Sequence, residues 1–74
     1  MHLSKGEYSQ FSIKGRLSLL QEFGMPVRKK MEQQTRVEIY LLYGFYVEVV
    51  YENDLLITAE PLKFPDLMEY YNSI

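Results

Sequence analysis

Glu38 and Glu48 come nearest to catalytic chemistry in this 74-residue chain. Each lies within an alternating apolar stretch of strand type, and the register argued below sets them directly opposite one another. Two carboxylates facing across a strand pair repel, and such a pair binds a cation, shares a proton or is neutralised by a neighbour. Here the last outcome is expected, because Arg36 is close in sequence to Glu38 and no histidine stands nearby. A functional dyad also needs a cleft and a third polar group. The single histidine, His2, adjoins a terminus. No glycine-rich phosphate loop, nucleophile with a base, or histidine pair at metal spacing occurs. The chain is therefore expected to be non-enzymatic, with no catalytic, cofactor-binding or metal-ligating residue.

The second chemistry on offer is anion binding. Lys14-Gly15-Arg16 and Arg28-Lys29-Lys30 are basic clusters, and seven tyrosines offer surfaces on which bases could stack. Arg16, Arg28, Lys29 and Lys30 are thus candidates for contacting single-stranded nucleic acid. Against this, the net charge is −2, and most of the tyrosines lie in acidic company between Glu38 and Glu69. Residues 1–37 carry seven Lys/Arg and three Asp/Glu, against one and seven in the remainder. Folding brings these halves together, so neutralisation within the domain or between subunits is preferred over a nucleic-acid partner.

These residues must be positioned by a small set of elements. From Ile13 to Phe23 the apolar residues Ile13, Leu17, Leu19, Leu20 and Phe23 share one side of a helical wheel, with Lys14, Ser18, Gln21 and Glu22 opposite. Ser12 is the expected N-cap. Gly24 and Pro26 form the stop, glycine by accepting a left-handed terminal conformation. Tyr8 to Phe11 fits either a further helical turn or an extended arm. Residues 26–32 alternate weakly, with the charge of an exposed edge strand. Val37/Ile39/Leu41, Phe45/Val47/Val49/Tyr51 and Leu55/Ile57/Ala59 then alternate as three strands of an antiparallel meander.

Register follows from matching the apolar rows. A three-residue loop Leu42-Tyr43-Gly44, with Gly44 left-handed, sets Leu41 opposite Phe45, Ile39 opposite Val47 and Val37 opposite Val49. A loop Glu52-Asn53-Asp54 sets Tyr51 opposite Leu55, Val49 opposite Ile57 and Val47 opposite Ala59. Pro61 ends the last strand. Pro65 opens a short C-terminal helix with Asp66 and Glu69 early in it and Leu67, Tyr70, Tyr71 and Ile74 on one side. The expected fold is α+β: an N-terminal helix, a meander of three or four strands and a C-terminal helix, the helices on one sheet face. All 74 residues make one domain, with residues 1–8 free to act as a mobile arm.

The other face then carries Tyr40, Tyr46, Val50 and Leu56, more apolar and aromatic surface than water-facing sheet positions usually show. Tyrosine is favoured in interfaces because it joins area to a hydrogen-bonding tip. This face is either covered by the chain's own N-terminal arm or used for association. A core this small favours the latter, with a homodimer or another protein as partner. No cysteine is present, which fits a reducing compartment, and no stretch approaches membrane-span or signal-peptide length, so a cytoplasmic location is expected. The run Leu42-Tyr43-Gly44-Phe45-Tyr46-Val47-Glu48-Val49, with Gly15-Arg16-Leu17 and Leu20 upstream, resembles a group of short bacterial proteins of unknown function. That resemblance implies a small stand-alone bacterial domain and brings no activity with it.

Overall fold

A computed structural model describes residues 3–62. Helix α1 (Lys5–Ser9) and helix α2 (Ile13–Phe23) precede strands β1 (Met25–Glu32), β2 (Thr35–Leu42), β3 (Phe45–Glu52) and β4 (Leu55–Pro61). The strands form one antiparallel sheet in the order β1-β2-β3-β4. The α+β class and the meander are as expected, and residues 26–32 lie within a genuine edge strand. The C-terminal helix expected after Pro65 lies outside the described residues, as does His2.

Both helices start where short polar side chains can satisfy free backbone N–H groups. Ser4 and Glu7 form a reciprocal capping box at α1: the Glu7 amide donates to Ser4 Oγ at 3.2 Å and the Ser4 amide to Glu7 Oε1 at 3.0 Å. Ser12 Oγ accepts from the Gly15 amide at 3.1 Å and caps α2. Residues 5–9 are thus a helix rather than part of an arm. Leu3 and Tyr8 join Leu20 of α2 in the core, packed on Leu42, Phe45, Val47, Val49 and Ala59. The N-terminal segment therefore covers the same face as α2, not the reverse face.

The turns correct the expected register. Leu42 pairs with Phe45, Tyr40 with Val47, Ile39 with Glu48 and Val37 with Val50, so the β2–β3 turn is the two residues Tyr43-Gly44. The positive φ belongs to Tyr43 (57°), and no glycine has one. The β3–β4 turn is likewise two residues, Asn53-Asp54, with φ of 52° and 64°, and Glu52 pairs with Leu55. Row matching failed because β2 is apolar on both faces. Sliding the register by one exchanges Val37, Ile39 and Leu41 for Tyr40 and Leu42, so the pattern alone does not discriminate. The shorter turns keep the ladder continuous to the hairpin tip and bury Leu42 and Phe45 together.

A bulge then adjusts β4. Tyr51 pairs with Leu56 and Val50 with Thr58, leaving Ile57 as the extra residue. Leu56 and Ala59 are three apart and would face opposite sides of a regular strand. With the bulge, Leu56 packs beside Tyr51 and Ala59 pairs with Val49, both against the helix-side core.

Candidate functional site

The register distributes the candidate residues over two faces. On the helix side, Arg36, Glu38, Tyr40 and Leu42 of β2 lie beside Tyr51, Val49, Val47 and Phe45 of β3, and Pro26 and Lys29 of β1 flank Tyr40 and Glu38. On the reverse side, one row runs Arg28, Ile39, Glu48, Glu60 across all four strands, and the next runs Lys30, Val37, Val50, Thr58.

Glu38 and Glu48 are therefore on opposite faces, and the facing dyad expected from the sequence does not form. Glu38 is neutralised as expected by Arg36, whose Nε lies 3.1 Å from Oε2, and it also accepts from the Tyr40 hydroxyl at 2.9 Å. Burial, and next the hydrogen bond to Glu38, push the Tyr40 phenol up to about 12. The Arg36 guanidinium stands 4.2 Å from the Tyr51 ring centroid and reaches Asp54 at 3.4 Å. A single guanidinium thus serves two carboxylates and a ring, and its buried Nε, though near Glu38, has no hydrogen-bond partner among the described residues. The carboxylates that do face one another are Glu48 and Glu60, and Glu60 is held by Arg16 at 2.8 Å. Among the described residues no group of three His, Cys, Asp or Glu side chains could hold a metal ion.

The basic candidates are also separated. Arg16 is a structural clamp on the β4 side, donating to the Ser9 carbonyl at 2.7 Å, the Phe11 carbonyl at 3.1 Å, the Ala59 carbonyl at 3.3 Å and Glu60 at 2.8 Å. Arg28, Lys29 and Lys30 lie on β1, at the opposite edge of the sheet. Arg28 and Lys30 point to the reverse side by register and Lys29 to the helix side. Among the described residues Arg28 and Lys29 enter no ion pair, and Lys30 meets Glu32 only at 4.0 Å with both largely exposed.

The four interaction candidates divide in the same way. Tyr40 and Leu56 pack against the helix-side core. Tyr46 and Val50 face the reverse side, where their companions are Val37, Ile39 and Leu41, residues that sequence reasoning assigned to the core. Met25 and Leu55, each more than half exposed, stand at the margin of this face. The signal that could have located it was the double-sided apolarity of β2. An open pocket of about 300 Å3 lies beside β1, lined by Pro26, Val27, Arg28, Lys29, Glu38 and Tyr40.

Among the described residues no helix is long and apolar enough to cross a membrane. No protein-family model, curated protein or solved structure matches the chain.

Proposed function

We propose that this chain is a non-enzymatic interaction domain that pairs with a second copy of itself through the sheet face turned away from α1 and α2. One observation carries the reading. The buried side chains of both helices enter the cluster built on Leu42, Val47, Val49 and Ala59, whereas Val37, Leu41, Tyr46 and Val50 line the opposite face half-buried, around an Ile39 that is itself buried. A single core in a domain of this size supplies roughly 3–5 kcal/mol of net stability, so burial between copies is a substantial addition.

The charge pattern supports a particular symmetry. Arg28 and Lys30 flank the apolar stripe on the β1 side and Glu48 on the other, with Glu60 beyond it already paired to Arg16. A two-fold axis parallel to the strands brings each basic flank to the acidic flank of the partner, while an axis across the strands sets like charges over one another. The first arrangement is the one proposed. Sedimentation equilibrium at tens of micromolar checks it. Wild type should sediment at twice the monomer mass, and Tyr46→Glu as a monomer with an unchanged far-ultraviolet spectrum. Monomer mass for both proteins overturns the proposal.

A further inference from the structure

The two edges of this sheet are treated differently. At β4 the Ala59 carbonyl accepts from the Tyr8 hydroxyl at 3.0 Å and from Arg16 at 3.3 Å, so side chains of the chain itself take up that carbonyl. At β1 every residue except Arg28 is exposed, and none of the side-chain-to-backbone hydrogen bonds among the described residues reaches it. An open edge is a row of backbone donors and acceptors awaiting another strand. Pro26 has no N–H, and the register shifts between Pro26 and Arg28, so the regular part available for pairing is residues 28–32.

We propose that this stretch of β1 is a docking edge for an extended acidic segment of another protein, which adds to the sheet as a fifth strand. Main-chain hydrogen bonds would supply affinity, and pockets for alternate side chains specificity. Charge selects the occupant. A second copy pairing edge to edge would bring Arg28, Lys29 and Lys30 against the same three residues, and like charges across a strand pair are destabilising. Lysine on an edge discourages pairing with such sequences, yet the same cations attract a strand carrying carboxylates. Arg28 and Lys29 are in no ion pair among the described residues, and the Lys30–Glu32 contact is 4.0 Å long and exposed, so little has to be broken. The open pocket of about 300 Å3 lined by Pro26, Val27, Arg28, Lys29, Glu38 and Tyr40 adjoins this stretch over the helix side of β1 and β2. This proposal does not require self-association through the reverse face: in that dimer Arg28 and Lys30 meet the partner's acidic flank, whereas the β1 backbone and Lys29, on the helix side, stay available.

The test uses the full chain and a labelled, acetylated peptide alternating glutamate and valine, followed by fluorescence anisotropy at low salt. Binding should shift the amide resonances of residues 28–32 and weaken about tenfold or more in Lys29→Glu/Lys30→Glu, whose spectrum should otherwise be that of a folded protein. The same peptide N-methylated at alternate backbone nitrogens keeps its charge but loses its donors, and it should not bind. Equal affinity for the methylated peptide overturns strand addition, since charge alone then suffices. Failure of the parent peptide to bind at millimolar concentration overturns the proposal outright. Tighter retention of an oligothymidine by the same residues does so too, by making nucleic acid the ligand.

Discussion

The hydroxyl of Tyr8 donates to the carbonyl of Ala59 at 3.0 Å across 51 residues of chain, joining the first helix to the last strand in the centre of the core. The ring is fully buried, meets Phe45 edge-on at 5.7 Å between centroids, and lies under the Arg16 guanidinium at 5.4 Å. Burial, only partly opposed by Arg16, pushes the phenol up to about 12 from its ordinary 10. The folded state thus favours the protonated phenol, and this contribution is complete below pH 10 and lost as pH rises through about 12. Thermal midpoints should fall over that range, and less steeply in Tyr8→Phe, which keeps only the parallel contribution of Tyr40. At neutral pH Tyr8→Phe should cost about 1 kcal/mol in urea titrations, because Arg16 still donates to the Ala59 carbonyl. Parallel alkaline curves for the two proteins would contradict the assignment.

Tyr40 tests the polar cluster. Its phenol is raised first by burial and second by the hydrogen bond to Glu38. In Glu38→Gln the charge leaves while the shape remains, so the Tyr40 titration should move down from about 12 without reaching the ordinary 10. Absorbance titration near the phenolate band, with Tyr40→Phe as the subtraction control, reads this directly. An unmoved titration would mean that the 2.9 Å contact is not maintained in solution.

How far these features were legible in the sequence depends on how local they are. Helix α2 was readable from end to end, since Ser12, the spacing of Leu17 and Leu20, and Gly24 all act within one or two turns. The strands were readable from alternation, and the edge character of β1 from its lysines. The facing of the strands was not, because Val37, Ile39 and Leu41 are as apolar as their alternates Tyr40 and Leu42. That single ambiguity moved Glu38 away from Glu48 and separated Tyr40 from Tyr46. Arg16 was misread for a different reason. A guanidinium with five donors suits three backbone carbonyls and a carboxylate as well as it suits phosphates, and those carbonyls come from the end of α1, the bend after it and β4, which only the fold assembles.

Two glycines make opposite predictions. At Gly24, φ is an ordinary −81°, not the left-handed value expected of a helix stop. A Cβ there would nevertheless sit 2.6 Å from the Leu20 carbonyl oxygen, so Gly24→Ala must displace backbone and should cost about 1–3 kcal/mol. At Gly44 an added Cβ meets nothing within 4 Å, and φ is not positive. Gly44→Ala should be neutral or stabilise by about 0.5 kcal/mol through the unfolded chain. Urea midpoints of the two variants therefore fall on opposite sides of wild type or nearly so; a larger loss at Gly44 would restore the three-residue loop.

The Asn53-Asp54 turn separates a backbone effect from an ion pair. Asp54 has φ of 64° and reaches Arg36 at 3.4 Å with its side chain 86% exposed. An exposed pair of this kind contributes roughly 0–1 kcal/mol, and Arg36 retains Glu38 and the Tyr51 ring without it. Asp54→Gly and Asp54→Ala both remove the pair, so the difference between them isolates the left-handed conformation. Alanine places a Cβ against the following carbonyl in that region and glycine does not, which should make the glycine variant the more stable by about 1 kcal/mol. If denaturation curves of the two variants coincide, residue 54 does not hold the left-handed angle in solution, and the two-residue turn that pairs Glu52 with Leu55 gives way to a looser one.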